Sequence, residues 1–387
     1  MQFIPTDEQV LLRDSVRRFV EREHAARVPS RLGHDDAIWA VFGEQGWLAA
    51  GLPEAVGGLG GGAYSTALIA EELGRGLVPE AFVPVAAVAG QLFHALAPED
   101  ERLQALMWGQ SRPVLAHFEP EGRGDVRWVE ARAVKDVDGY SLSGVKAAVL
   151  GGPAADVFLV TARTGDSDEL TVFAVPPDAA GLRRRDYRTV DNRGASNLRL
   201  DEVKLAPDAV LGPVGGAAAA VERAIDHGLV AACAEAEGAM DVAFDMTRSY
   251  LNTRRQFGTL IGDFQALRHR LADMFIETEQ ARSIVLRALA ALDGDGPERG
   301  RLASAAKVRV AQAGRYVTAQ SIQLHGGIGL TEEYPVGQHF KRLTMFTLLN
   351  GADAAHLERF VRLGRAAEEL SQTRDVGGKE LEGARPC

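Results

Sequence analysis

The sequence predicts a mainly α-helical protein with a β domain in the middle: a helical domain, a β-barrel-like domain and a four-helix bundle. Apolar residues recur at helical spacing in residues 1–112. Residues 113–212 instead carry short apolar runs separated by proline and glycine. Residues 213–387 contain a long segment without proline, which favours long helices. A chain of 387 residues is long enough for such a set of domains.

The N-terminal domain is predicted to begin with a capped helix. Thr6 and Gln9 have the spacing of a capping box, in which each side chain bonds to the other residue's backbone N–H. The glycine-rich stretch Gly51–Gly62 interrupts the helical pattern and predicts a loop. Helical runs resume after it, at about 63–76, 80–96 and 99–109.

The middle domain carries strand signals. Pro113–Ala116, Val157–Val160 and Leu170–Val175 are short apolar runs bounded by turn residues. In Gly139–Gly144, apolar and polar residues alternate between the two glycines, which is typical of a strand that is bounded by turns. These features predict β structure from residue 113 to residue 212.

The C-terminal region is predicted to be an antiparallel bundle. A helical run of about 40 residues from Gly216 would be about 60 Å long at ~1.5 Å per residue. A second apolar face begins at Phe264, a third helix is expected at about 301–323, and a fourth after Gly351. Helices of this length in a globular protein are typical of bundles.

Composition excludes several functions and favours a cytoplasmic protein. The formal charge is −10, without a basic stripe, which argues against a nucleic-acid partner. Two cysteines, Cys233 and Cys387, form neither a disulfide framework nor a zinc site, and the histidines show no metal-ligand spacing. The chain has no apolar run long enough to span a membrane, and its start lacks the features of a signal peptide.

Five motifs carry the functional signal, and they occur in a fixed order along the chain. They are Leu52–Gly58 (LPEAVGG), Leu142–Lys146 (LSGVK), Arg254–Gly258 (RRQFG), Gln323–Gly329 (QLHGGIG) and Glu333–Val336 (EYPV). Together with the predicted order of domains, they resemble the acyl-CoA dehydrogenase family. Within that family, residues 323–344 are most similar to the small subunit of pimeloyl-CoA dehydrogenase, which is of the two-gene α2β2 type.

The resemblance implies FAD as the cofactor. In this family, the segments corresponding to RRQFG and QLHGG reach the adenosine-diphosphate half of a neighbouring subunit's FAD. A fixed guanidinium suits a pyrophosphate, and glycines let backbone N–H groups approach it. Carried over by motif, the expected FAD-binding residues are Arg254, Gln256, Phe257, Gln265, Gln323, Gly326 and Gly327.

The catalytic motifs of the family are altered in this chain. The position of the family's catalytic glutamate aligns with Asn350, whose amide is not a useful base. At the alternative glutamate position, on the first bundle helix, this chain has Gly228. Ala147–Leu150 replaces the tryptophan and threonine that contact the flavin ring in the family, and Arg123 replaces a serine that contacts substrate.

The FAD-binding motifs match the family, whereas the catalytic motifs are altered, and two interpretations of this difference are possible. In the first, the chain is a degenerate, non-catalytic subunit that completes the FAD site of a homologous sister chain in a dimer or tetramer. The assembly would catalyse α,β-dehydrogenation of an acyl-CoA and pass electrons to an electron-transferring flavoprotein. In the second, the chain is an active homo-oligomeric dehydrogenase with a relocated base, Asp353 or Asp226.

A third reading changes the reaction. The same fold hosts flavin monooxygenases, which need no base for an α-proton, so Asn350 alone would permit this activity. The altered ring contacts argue against it, because oxygenation also requires a held flavin. The acyl chain, the electron acceptor and the true base stay open at the level of sequence.

Overall fold

The computed structural model describes residues 5–24, 34–165, 169–294 and 296–382, with side chains to residue 368. Its first helix begins with the predicted capping box, since the Thr6 backbone N–H donates to Gln9 Oε1 at 2.9 Å and the Gln9 N–H donates to Thr6 Oγ1 at 3.3 Å. The N-terminal helices are α1 Asp7–Phe19, α2 Asp36–Glu44, α3 Gly62–Arg75, α4 Gly90–Leu96 and α5 Glu101–Met107.

A π-helical segment, Val83–Ala89, runs directly into α4. The irregular stretch that precedes it, Leu77–Phe82, connects α3 to this segment, and Val78 and Phe82 pack into the main core cluster. This stretch therefore places residues of the N-terminal domain against both the β sheet and the bundle.

The middle domain is an eight-stranded sheet with the order β6-β7-β3-β2-β4-β5-β8, and β1 pairs with β4. β1 and β2 each lie parallel to β4, whereas the other neighbours are antiparallel. The strands are β1 Pro113–Ala116, β2 Arg132–Asp136, β3 Gly139–Leu150, β4 Val157–Thr164, β5 Glu169–Val175, β6 Leu182–Arg188, β7 Gly194–Leu205 and β8 Val210–Leu211. The register of β3 against β7 shifts between Lys146 and Val149, which bends β3 at the edge of the functional cleft.

The C-terminal domain is helical, as its long proline-free segment predicted. Its helices are α6 Ala218–Thr253, α7 Gln265–Ala291, α8 Pro297–His325, α9 Val336–Leu348 and α10 Asp353–Glu382, with a short hairpin of β9 Arg255–Gln256 and β10 Thr259–Leu260. None of the described helices is long and apolar enough to cross a membrane.

Helix α6 is the central element, because residues 224–240 are buried on every side. A helix that is buried all round needs neighbours on all faces. It packs on α3 so closely that a Cβ on Gly74 would lie 1.9 Å from the carbonyl oxygen of Glu235, and one on Gly238 would lie 2.0 Å from that of Glu71. The two glycines therefore fix the distance between the N-terminal domain and the bundle.

Candidate active site and cofactor surface

A cleft lies where the three regions meet, with about 810 Å³ of empty space counted out to its open mouth. Its lining residues are Arg193 and residues from five segments: Val83–Val88, Leu115–Phe118, Ala147–Leu150, Ile225–Glu235 and Phe346–Asn350. Most of the lining side chains are apolar. A mainly apolar cleft of this size, formed at a junction between domains, is typical of a small-molecule site.

Asn350 lines this cleft from the turn between α9 and α10. The turn is tightly held: Asn350 and Gly351 have φ of +57° and +96°, and His356 Nε2 donates to the Asn350 carbonyl oxygen at 2.7 Å. A Cβ on Gly124 would lie 2.3 Å from Gly351 Cα, so the loop that carries exposed Arg123 contacts this turn through backbone. The cleft thus presents an amide at this position, which can form hydrogen bonds but cannot take up a proton.

Three ionisable side chains line the cleft in the described part of the chain, and the first is His117. Its Nδ1 lies 3.0 Å from Thr161 Oγ1, and its Nε2 lies 2.8 Å from the carbonyl oxygen of Val126. Burial, with a contribution from the Lys146 charge, lowers the pKa of His117 to about 4. Since both ring nitrogens are occupied, His117 serves the structure of the loop rather than proton transfer.

The other two are Arg193 and Glu235, which pair with each other inside a buried cluster of four charges. Glu235 Oε1 accepts from Arg342 Nη1 at 2.6 Å, and its Oε2 accepts from Arg193 Nη1 at 3.2 Å. Asp191 Oδ2 lies 2.7 Å from Arg193 Nε and 3.0 Å from Arg342 Nε. Burial opposes the charge of Asp191, but the two guanidiniums hold its pKa below its usual value. Glu235 is thus engaged by two cations and is a poor general base.

The two candidate substitute bases lie elsewhere. Asp226 is fully buried on α6 and pairs with Arg299 Nε at 3.0 Å and Arg359 Nη1 at 2.6 Å. Asp353 begins α10 and pairs with Arg315 Nη2 at 2.7 Å. Neither carboxylate is among the described residues that line the cleft. The geometry favours structural roles for both: Asp226 ties α6 to α8 and α10, and Asp353 ties α10 to α8.

The sheet side of the cleft is closed by Ala147–Leu150. The backbone N–H of Ala147 donates to the Phe118 carbonyl oxygen at 2.9 Å, and that of Ala148 donates to Asn197 Oδ1 at 3.0 Å. Ala148 itself has φ of +53°, at the bend in β3. Both N–H groups are therefore used, and no hydroxyl or aromatic side chain projects from these four residues.

Beneath this wall, Lys146 and Glu119 form a buried ion pair. Lys146 Nζ donates to Glu119 Oε1 at 2.7 Å and to the His117 carbonyl oxygen at 3.1 Å. Glu119 also accepts from the backbone N–H groups of Glu130 and Ala131 at 2.7 and 3.0 Å. Burial lowers the pKa of Lys146 to about 8, against the opposing effect of Glu119. The pair fixes residues 117–119, and with them one edge of the cleft.

The seven expected FAD-binding residues lie on a different surface, and all of them are exposed. Phe257 is the most prominent: it is 90% exposed at the tip of the β9–β10 hairpin, with φ of +53°. Gly326 has φ of +65°, and a Cβ on Gly326 or Gly327 would meet nothing within 4 Å. This surface offers a guanidinium, exposed amides and open backbone, which are the groups that a nucleotide diphosphate requires.

The two motifs on this surface are joined by an aromatic stack. Tyr250, four residues before Arg254, stacks on His325 with ring centroids 4.6 Å apart. His325, which directly precedes Gly326, also lies 3.1 Å from the hydroxyl of Tyr334 through Nε2. The stack holds the end of α6 against the end of α8, so residues that are far apart in sequence share one surface.

Comparison with known families identifies the chain along most of its length. Three family models match it: the acyl-CoA dehydrogenase N-terminal domain at residues 6–106, the middle domain at 115–203 and the C-terminal domain at 215–363. The chain belongs to the acyl-CoA dehydrogenase family. Members of this family are FAD-dependent oxidoreductases that act on CH–CH groups, and the resemblance inferred from the motifs is confirmed.

Individual members of the acyl-CoA dehydrogenase family show the same organisation. Acyl-CoA dehydrogenase IpdE2 of Mycobacterium tuberculosis is 30% identical over 87% of this chain and 91% of that protein. The structure of a variant of the Tcur3481-Tcur3483 steroid ACAD matches with a TM-score of 0.83 and 32% identity, over 94% of this chain and 99% of that one. The ChsE4-ChsE5 complex of Mycobacterium tuberculosis matches with a TM-score of 0.82 and 25% identity, over 94% and 98% of the two chains.

The two surfaces of this member of the acyl-CoA dehydrogenase family differ in the groups that they offer to FAD. The exposed surface around Arg254 and Gly326 offers groups of the kind that an adenosine diphosphate requires. The cleft is large enough for a ring system, but Ala147–Leu150 offer neither a free backbone donor at Ala147 and Ala148 nor a polar side chain to hold one. No group of side chains suited to a metal ion occurs in the described residues.

The structure also reveals cleft residues that the sequence interpretation missed, namely His117, Arg193 and Glu235. For Arg193 the sequence holds a weak indication of an ion pair, because Asp191 precedes it by two residues in the turn between β6 and β7. For Glu235 it holds none, since that residue lies among alanines on a helix that is buried on all faces.

Proposed function

We propose that this chain is the non-catalytic member of a mixed assembly that performs α,β-dehydrogenation of an acyl-CoA. In this role it completes the adenosine end of the FAD site of a homologous sister chain, which supplies the catalytic base. Electrons would leave the assembly through an electron-transferring flavoprotein.

The observation that carries this proposal is the absence of a free carboxylate at the cleft. Asn350 occupies the family's base position, and the one carboxylate among the described lining residues, Glu235, is bound by Arg193 and Arg342. Loss of a general base costs about 10²–10⁴ in rate. We therefore expect a chain with this cleft to show little dehydrogenase activity by itself.

The retained nucleotide surface supports the same role. Arg254, Phe257 and Gly326 are all exposed and so are available to a partner or a cofactor. Exposed aromatic and arginine side chains are enriched where proteins bind partners. Two of the structurally similar proteins, the Tcur3481-Tcur3483 steroid ACAD and the ChsE4-ChsE5 complex, have paired names, which favours a mixed assembly for this chain as well.

Helix α7 offers a surface for the sister chain. Phe275 and Ile276 are 51% and 50% exposed in the middle of the helix, and Phe264 at its start is 38% exposed. The ring of Phe264 lies 6.2 Å from that of Phe257, so the apolar face continues into the FAD-binding hairpin. We expect a homologous chain to cover this face in a dimer or tetramer.

A flavin titration tests the proposal. The chain is purified alone and after mixing with its homologous sister, and the visible spectrum is recorded before and after anaerobic addition of an acyl-CoA. We expect little flavin on the chain alone and one flavin for every pair of chains in the mixture, bleached by the thioester.

The alternatives give different spectra. One flavin per chain, bleached by an acyl-CoA without the sister, would establish an active homo-oligomeric enzyme and overturn the proposal. Oxygen uptake coupled to NADH and a reductase would indicate a monooxygenase. The positions of Asp353 and Asp226, away from the cleft and paired with arginines, speak against a relocated base.

A further inference from the structure

Neither oxygen of the buried Glu80 carboxyl group accepts a hydrogen bond of good geometry in the described structure, although the backbone N–H groups of Glu80 and Asp35 lie near it. Glu80 lies in the irregular stretch that leads to the π-helical segment and is only 6% exposed. Leaving such a group unsatisfied costs about 1–3 kcal/mol. Buried polar atoms are nearly always satisfied by protein, water or ligand, so this carboxyl group is available to a bound water or ligand.

Two small cavities meet at Glu80. The first, which we call the inner cavity, is lined by Glu80, Arg193 and Glu235 among mostly apolar residues, and it shares Val83, Pro84, Leu150, Arg193 and Glu235 with the main cleft. The second reaches His34, Asp35 and Arg112 on the other side of Glu80. The inner cavity and the cleft therefore adjoin each other, and Arg193 and Glu235 line both.

The inner cavity combines a hydrogen-bond donor with an acceptor. Arg193 donates through Nε to Asp191 and through Nη1 to Glu235, and its Nη2 has no partner in the described structure. Glu80 supplies acceptor oxygens in the same cavity. The four-charge cluster that holds Arg193 is neutral in sum, so an added anion would gain little beside it. A neutral group that both accepts and donates fits better.

We propose that the inner cavity is a hydroxyl-binding subsite, which takes an alcohol group from the distal part of an acyl-CoA held in the cleft. The hydroxyl oxygen accepts a hydrogen bond from Arg193, and the hydroxyl O–H donates a hydrogen bond to Glu80. The inference rests on the proposed function only in that the cleft admits an acyl-CoA, and it holds whether or not this chain turns the thioester over.

The protonation state of Glu80 is compatible with this role. Burial, with a smaller contribution from the charge of Asp35, raises the pKa of Glu80 to about 7; the backbone N–H groups of Glu80 and Asp35 and the charge of Arg112 oppose this rise. On the cleft side it faces Arg193 and Glu235. Either form of the carboxyl group retains an oxygen that accepts from a hydroxyl, so binding does not require one state.

Binding of matched thioesters tests the subsite. The full chain is titrated by calorimetry with ω-hydroxyacyl-CoA thioesters of increasing length, each compared with the unsubstituted thioester of the same length. We expect a preference of about tenfold for the hydroxylated thioester at the length that reaches the cavity, because a hydrogen bond to a charged group is worth about that much. Equal affinity at every length would overturn the inference and would mean that the cavity holds only water.

Variants of Glu80 locate the effect. Glu80→Leu should bind the hydroxylated and the unsubstituted thioester about equally. Glu80→Gln, which keeps the shape of the side chain, should retain an intermediate preference for the hydroxylated thioester. Glu54→Gln, at an exposed acid of the same domain, is the matched control and should keep the full preference. If Glu80→Leu does not fold, an unchanged preference in Glu80→Gln overturns the inference. Flavin stoichiometry is measured separately, so this result and the test of the proposed function can fail independently.

Discussion

The side chain of His356 holds the backbone of Asn350: its Nε2 donates to the Asn350 carbonyl oxygen at 2.7 Å, across the turn that joins α9 to α10. Burial, partly offset by this hydrogen bond, lowers the pKa of His356 to about 4, so the ring stays neutral in the physiological range. The turn that would carry a catalytic carboxylate in the family is therefore kept in shape, although the residue it presents is an amide.

Restoring a carboxylate at this turn should not restore activity. Asn350→Glu in the chain alone is expected to give no bleaching of flavin by an acyl-CoA in an anaerobic spectrum. The reason is that Ala147–Leu150 still lack groups to hold the ring, so a base by itself has no oriented cofactor to work with. Bleaching by the single variant would mean that the cleft is competent to hold flavin, contrary to the proposed division of roles.

Arg254 should matter for the cofactor and not for the fold. We expect Arg254→Ala to weaken FAD binding by the mixed assembly by about 10–100-fold, which corresponds to loss of one hydrogen bond between charged groups. Thermal unfolding of the chain should be unchanged, because the side chain is exposed. The control is Arg268→Ala, an exposed arginine on α7 that pairs with Asp263. Equal effects of the two variants on FAD affinity would contradict the assignment.

Glu80 should make the chain less stable as pH rises. The folded-state pKa of about 7 exceeds the value of about 4.3 expected for an unfolded chain, so the folded state binds the extra proton between these values. Stability is therefore retained below pH 4.3 and lost as pH rises through 7. Glu80→Gln should remove this loss, so its gain in stability over wild type should grow by about 2–3 kcal/mol from pH 5 to pH 8, measured by denaturant unfolding. A gain that does not change with pH would exclude the shift.

Asp226 should be a structural residue. Asp226→Asn leaves Arg299 and Arg359 without their shared carboxylate, and breaking a buried pair in this way costs about 3–5 kcal/mol. We expect a lower denaturant midpoint and, at low temperature, an unchanged flavin content of the mixed assembly. A stable variant that loses only turnover would instead support Asp226 as a relocated base.

The pair of Lys146 and Glu119 should show strong coupling. Lys146→Met alone leaves a buried carboxylate and should cost about 3–5 kcal/mol, whereas the double variant with Glu119→Gln should cost less than the sum of the single changes. A double-mutant cycle by denaturant unfolding measures this difference. Additive effects would show that the two side chains act independently of each other.

Much of the fold could be predicted because its signals are local. The capping box at Thr6 and Gln9, the proline-free run that became α6 and the alternation around Gly139 each depend on neighbours a few residues away. The motifs around Arg254 and Gly326 could likewise be recognised in the sequence, and the structure places both residues at the surface; their role in FAD binding stays a prediction.

The cleft could be predicted only in part. Asn350 was found through its alignment with a motif, but the sequence gave no measure of how Asp226 and Asp353 lie relative to it. Their positions depend on which face of α6 and α10 turns inward, and that is decided by packing against α8. Sequence spacing alone left both carboxylates available as bases.

By itself, the sequence determined the family and the order of the three regions, and it predicted Asn350 as the residue at the family's base position. Only the tertiary structure decided that Arg193, Glu235 and Glu80 lie around one cleft, that the two candidate bases lie outside it, and that Tyr250 stacks on His325. The physical reason is that burial and pairing of charges depend on contacts between elements far apart in the chain, which no local pattern encodes.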